Sequence, residues 1–140
     1  MESIASFTDD YLSNLNLIRQ EIGQNADVYI REFSFGQTAI RASIIFVDGL
    51  SDRDLIDNTI LKTLMNDSVA VMVQENSSGD VSVSKDFFIN HVLSIHEILE
   101  CRDVYDLRTK VLTGFTALLI EGTANALLLN TVKVKTRNID

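Results

Sequence analysis

The chain has 140 residues, is 46% apolar and carries a formal charge of −8, which suits one domain with its own core and leaves too little length for two. The acidic balance argues against a nucleic-acid or anionic-membrane surface, since phosphate binding needs clustered Lys and Arg. A lone cysteine, Cys101, cannot form an internal disulfide and favours a reducing compartment. The opening MESIASFTDD lacks the basic region of a secretory signal, and no apolar run approaches the roughly 18–20 residues of a membrane helix.

In chain order, Tyr11, Leu15, Ile18 and Ile22 follow Phe7 at steps of three and four, which predicts an amphipathic helix capped by Ser6 or Thr8 and closed by Gly23. Asp27 to Leu50 reads as a β-hairpin. Val28 to Phe35 is rich in β-branched and aromatic residues, Gly36-Gln37-Thr38 supplies the turn, and Ala39 to Val47 is the second arm. Ile44-Ile45-Phe46-Val47 is apolar at every position, and successive strand side chains point to opposite faces, so both faces there must be covered. The arm stops at Asp48-Gly49, and Ser51-Asp52-Arg53-Asp54 has the form of a capping box. Leu55, Ile56, Ile60, Leu61, Leu64 and Met65 give the helix that follows a wide apolar stripe.

Val69 to Val73 is open between a helical continuation and a short strand, and Glu75 to Asp80 reads as a surface loop. Ser84 is placed to cap a helix over Lys85 to Leu93, and Ile95 to Leu99 is open between helix and short edge strand. Asp103 is placed to cap a helix through Val104, Leu107, Val111 and Leu112 that Gly114 stops. Thr116 to Ile120 is a second apolar strand, ending at Glu121-Gly122. Thr123-Ala124-Asn125 turns it into Ala126 to Leu129, and Val132 to Lys135 alternates as a strand near an edge or exit. The expected class is α/β, a mixed β-sheet built around two hairpins, about 28–47 and 116–134, with helices packed over its faces.

Asp48 and Glu121 end the two apolar strands. Two carboxylates brought together can do acid–base work or hold a cation. Acid-glycine at a strand end is also ordinary turn chemistry, the acid satisfying loop N–H groups and the glycine taking positive φ, and that reading is preferred. His91 and His96 are five apart, on different helical faces, where a metalloprotease pair needs i and i+4 with a glutamate. Ser43 and Ser51 lack the flanking glycines of a nucleophile elbow, and no phosphate-cradling glycine motif occurs. The expectation is no catalysis, no metal and no cofactor. For Arg31 and Arg41, in the hairpin arms, ion pairing is preferred over capture of a ligand carboxylate. The candidates for interaction or ligand binding are Arg31, Asp48, Gly49, Asp52, Glu121, Gly122 and Asn125.

Several short blocks together resemble the A subunit of bacterial spore germinant receptors, the GerA-type family. They are Asn14-Leu15-x-x-Ile18, Asp27-x-x-x-Arg31-x-Phe33, Ile45-Phe46-Val47-Asp48-Gly49-Leu50-x-Asp52 and Ile60-Leu61-x-x-Leu64-Met65, closed by Leu112-x-Gly114-x-Thr116-Ala117-Leu118-Leu119-Ile120-Glu121-Gly122 with Ala126-Leu127 and Arg137. The chain departs from the family pattern at Thr63, where proline is common, at Phe115, and at Glu121, where aspartate is usual. The resemblance implies the front part of the cytosolic N-terminal domain of a larger membrane protein subunit, at the cytoplasmic face of the spore inner membrane. It also implies transporter-like B and lipoprotein C subunits as partners, self-association of A subunits, and a role in signal coupling and subunit interaction during nutrient-triggered germination. The alternative is a module of the same receptor that binds a small, amino-acid-like nutrient.

Overall fold

The computed structural model describes residues 6–34, 40–65, 97–122 and 124–133. The expected turn at Gly36-Gln37-Thr38, the segment from Val69 to Val73, the helix over Lys85 to Leu93, and both histidines lie outside the described residues. Helix α1 spans Tyr11–Ile22, and strands β1 and β2 span Val28–Ser34 and Arg41–Val47. Helix α2 is continuous from α-helical Arg53–Leu55 through a π-helical stretch, Ile56–Leu61, to α-helical Lys62–Leu64. Strand β3 is Ile98–Cys101, helix α3 is Val104–Val111, and strands β4 and β5 are Thr116–Ile120 and Ala126–Leu129.

The five strands lie in the order β1-β2-β4-β5-β3. The α/β class and the two hairpins hold, while each described pair in the sheet is antiparallel, where a mixed sheet was expected. The hairpins force two of those pairings. The β2–β4 and β3–β5 pairings join segments remote in sequence, and short apolar runs do not encode strand direction.

Both apolar strands are inner strands buried on two faces, for the reason their composition gave. Ala42, Ile44, Phe46, Leu118, Ile120, Leu127 and Leu129 face one way and pack with Ile56, Ile60, Leu61 and Leu64 of α2. Ile45, Val47, Ala117, Leu119, Ala126 and Leu128 face the other way and pack with Phe7, with Leu15 and Ile18 of α1, and with Leu107 and Val111 of α3. The result is three layers, with α2 on one face and α1 beside α3 on the other. Each fully buried Ile or Leu contributes about 1.5–3 kcal/mol. β1 and β3 form the edges. For the stretch Ile95–Leu99, left open between helix and short edge strand, the described residues show an edge strand, Ile98–Cys101.

Two caps differ from expectation. α1 starts at Tyr11, with Asp10 in the cap position and no side-chain cap bond, because Asn14, fully buried, ties down the entry instead. Its Oδ1 accepts from Thr8 N at 2.8 Å and its Nδ2 donates to Thr8 O at 2.6 Å. At α2 the cap is Asp52, whose carboxylate accepts from the backbone N–H groups of Asp54 and Leu55 at 3.1 and 3.2 Å. Ser51, the expected cap, is buried and donates elsewhere. Asp103 caps α3 through Asp106 N at 2.9 Å, as its position predicts.

Candidate functional site

The segment Asp48–Asp52 leaves β2 and enters α2. Gly49 takes φ +94°, a conformation that favours glycine, which lets the chain turn sharply after Val47. Leu50 N and Ser51 N both donate back to Val47 O, at 3.2 and 3.1 Å. The turn then meets the segment that follows β5: Asp52 N donates to Thr131 O at 2.8 Å and Lys133 N to Leu50 O at 2.9 Å. Ser51 and Val132 form an isolated antiparallel bridge.

Below this bridge lies a small buried polar cluster. The Gly114 carbonyl oxygen accepts from Ser51 Oγ and from Thr131 Oγ1, each at 2.8 Å, and Thr131 Oγ1 lies 2.7 Å from Thr116 Oγ1. Ser51, Thr116 and Thr131 are all buried. Gly114 sits at φ +116°, and a Cβ there would lie 2.8 Å from Leu50 O and 3.2 Å from Val132 Cγ2. Only glycine lets the α3–β4 turn approach this closely. The outcome is a joint where the end of β2, the start of α2, the α3–β4 turn and the segment after β5 are bonded to one another. Gly49, Leu50, Thr113, Val132 and Lys133 line a shallow surface groove over it.

Glu121 sits at the other end of the sheet. Antiparallel pairing sets Ala42 opposite Ile120 and Ile45 opposite Ala117, so Glu121 aligns with Arg41. Asp48 lies seven positions further along β2, roughly 23 Å away at about 3.3 Å per residue. The two carboxylates therefore form no acid–base dyad. Each has an arginine instead. Asp48 faces Arg53 at 3.7 Å across solvent-exposed surface. Glu121 accepts from the Arg41 backbone N at 2.9 Å and from its guanidinium at 2.9 and 3.3 Å. Those bonds to Arg41 hold the Glu121 carboxyl below the usual carboxylate range, and Glu121 in turn raises Arg41. Gly122 takes φ +91°, so both glycines have the expected turn conformation, whereas the acids bond arginines, Asp48 with Arg53 and Glu121 with Arg41, where loop N–H groups were expected.

Arg41 also lies over the Tyr11 ring, 5.0 Å from its centroid. The Tyr11 hydroxyl is hydrogen-bonded to buried Ser43, and burial pushes the phenol pKa up. Arg31 projects from the exposed part of β1, opposite Ile44, with no ion pair among the described residues. Asn125 is half-buried in the β4–β5 turn. Of the seven sequence candidates, Asp48, Gly49 and Asp52 gather at the joint, Glu121, Gly122 and Asn125 at the opposite end, and Arg31 at neither.

Sequence reasoning passed over Ser51 as a donor, and Thr116 and Thr131 altogether. Thr116 had one signal, a hydroxyl heading an otherwise apolar strand. Cys101 is buried, which pushes its thiol pKa up to about 11. Among the described residues, no cluster of three or more His, Cys, Asp or Glu is arranged to hold a metal ion, and no helix is long and apolar enough to cross a membrane.

The model of a family described as "Bacillus/Clostridium GerA spore germination protein" matches residues 6–140. The chain is 26% identical over 131 residues to "Spore germination protein B1" of Bacillus subtilis, a match covering 94% of this chain and 25% of that protein. It is 28% identical over 123 residues to "Spore germination protein GerLA" of Bacillus cereus, covering 88% and 23%. The chain thus spans about a quarter of the length of these curated relatives. Its fold is similar to the crystal structure of the N-terminal domain of the A subunit of the Bacillus megaterium spore germinant receptor GerK3, with a TM-score of 0.67 and 20% identity, over 95% of this chain and 50% of that one.

Proposed function

This chain belongs to the Bacillus/Clostridium GerA spore germination protein family, and from that premise we propose that it is a signal-coupling and subunit-interaction module in the N-terminal domain of a nutrient germinant receptor A subunit, working without catalysis. On this reading residues 1–140 are one α/β module of a larger membrane-bound subunit. They face the cytoplasm at the spore inner membrane and meet the B and C subunits and further A subunits.

The observation that carries the reading is the joint at Asp48–Asp52. A displacement of the segment after β5 would be felt through Asp52 N–Thr131 O and Lys133 N–Leu50 O, and Asp52 simultaneously caps α2. Rigid elements joined by short, buried bonds transmit displacement, whereas a chemical site needs convergent reactive groups. The separation of Asp48 from Glu121 supports the absence of an acid–base centre.

Asp48 is the cleanest probe, because its exposed pairing with Arg53 is worth less than about 1 kcal/mol. Asp48→Ala in the full-length protein should leave its thermal stability within about 0.5 kcal/mol of wild type and slow nutrient-triggered germination or lower receptor assembly. Wild-type germination together with wild-type receptor levels would refute the coupling role of this loop. Calorimetry with a panel of amino acids, sugars and nucleosides decides the alternative, since saturable binding abolished by Asp48→Ala would make the loop a ligand site.

A further inference from the structure

Strand β1 is an edge of the sheet among the described residues. Its register with β2 runs unbroken from Val28 to Ser34. Asp48 N donates to Asp27 O at 2.9 Å, and bonding alternates along an antiparallel ladder, so the backbone groups of Tyr29, Arg31 and Phe33 turn toward β2. Those of Ile30 and Glu32 turn outward, where no backbone partner meets them among the described residues. A straight edge seven residues long is a template for one more strand.

The side chains select which strand fits. Tyr29, Arg31 and Phe33 lie on the same face as Phe46, Ile44 and Ala42. Tyr29 is 48% exposed and stacks on Phe46 with ring centroids 5.6 Å apart, so its ring is held in place. Arg31 is exposed and has no ion pair among the described residues. On the other face Glu32 is already paired with Arg19 at 2.8 Å. The edge therefore presents an unmatched guanidinium flanked by two aromatic rings. A second copy of β1 matches it badly. In antiparallel pairing outward residues must sit opposite outward residues, and the full register of β1 on itself sets Arg31 against Arg31 at the closest approach in the ladder. Slipping that register by two shortens the ladder and leaves Glu32 facing Val28 in one direction and another Glu32 in the other.

We propose that β1 takes an extended segment of a partner protein by strand addition, with one carboxylate side chain opposite Arg31 and apolar side chains opposite Tyr29 and Phe33. The carboxylate is isolated in its segment, because a chain of formal charge −8 repels an acidic tract. Backbone bonds at Ile30 and Glu32 hold the segment, and Arg31 sets its register. The inference does not depend on the coupling role of Asp48–Asp52: unchanged germination in Asp48→Ala would leave it standing.

Amide hydrogen exchange in the full-length polypeptide, resolved to single residues by fragmentation in the mass spectrometer, tests it. The probes are the end-capped peptide Thr-Val-Thr-Glu-Thr-Val-Thr and its counterpart with Lys in place of Glu. At millimolar peptide, exchange at the Ile30 and Glu32 amides should slow at least fivefold with the Glu peptide and less than twofold with the Lys peptide. The Tyr29 and Arg31 amides face β2 and should not respond. Arg31→Glu should reverse the preference between the peptides, and wild-type exchange at the Tyr29 amide of the free variant verifies its sheet. Equal protection by both peptides, or by neither, overturns the proposal on the unmutated protein alone. So does protection without peptide that vanishes on tenfold dilution, which would assign the edge to a second copy.

Discussion

If Asp48–Asp52 is a joint and not a passive turn, the hydroxyls that bond it to the α3–β4 turn should act as a unit. The Gly114 carbonyl accepts from Ser51 Oγ and Thr131 Oγ1, each at 2.8 Å. Ser51→Ala removes one donor and leaves the other, so the loss should be near the net worth of one neutral hydrogen bond, about 1 kcal/mol. Thr131→Val keeps the shape but removes the second donor, and it strands Thr116 Oγ1, whose partner lies at 2.7 Å. An unpaired buried hydroxyl adds desolvation, so this loss should reach about 2–3 kcal/mol. The double variant leaves the carbonyl with no donor among the described residues, a state neither single variant contains. Its loss should exceed the sum of the singles by about 1 kcal/mol or more. Urea unfolding followed by far-UV circular dichroism measures all three, with unchanged m-values required for the comparison. Thr113→Val serves as control, because its exposed hydroxyl donates to Lys110 O within the same turn, its one bond among the described residues; it should stay within about 0.5 kcal/mol of wild type. Additivity within about 0.3 kcal/mol would refute a shared cluster.

The glycines of the joint separate strain from contact. Gly49→Ala and Gly122→Ala meet nothing within 4 Å and should lose only the left-handed backbone term, about 1–2 kcal/mol, whereas Gly114→Ala must also displace Leu50 O or Val132 and should unfold at least about 2 kcal/mol more easily than Gly49→Ala. Asp52→Ala should destabilise by about 1 kcal/mol through loss of the α2 cap while Asp52→Asn stays near wild type; equal losses in thermal melts would contradict the capping role. Glu121 has a lowered folded pKa, so its contribution is fully present above the unfolded value of about 4.3 and is lost as pH falls through the folded value. Glu121→Gln should therefore flatten the acid limb of the stability–pH curve below about pH 4.3, and an unchanged limb would show that the Arg41 pair does not carry it.

Burial was legible in the chain because it is local. Ile44 to Val47 and Thr116 to Ile120 leave no polar alternation for a solvent-facing side, and both strands are inner strands covered on two faces. The turn conformation expected at Gly49 and Gly122 likewise follows from neighbouring residues, and both glycines take positive φ. Capping was legible only in part. Asp103 caps as its spacing indicates, but at the start of α2 two adjacent residues offer an oxygen, and Ser51 is drawn away by Gly114, 63 positions along the chain.

By itself, then, the sequence determined which stretches are buried on both faces, where they stop, and which family pattern they follow. The tertiary structure decided what those stretches meet. Antiparallel pairing of β2 with β4 sent the two acid-glycine turns to opposite ends of the sheet, gave Glu121 to Arg41, and closed Ser51, Thr116 and Thr131 around one carbonyl. Periodicity and turn chemistry act over a few residues and so can be read along the chain, whereas strand order and direction follow from which apolar faces cover one another across long sequence separations, and no local pattern records that.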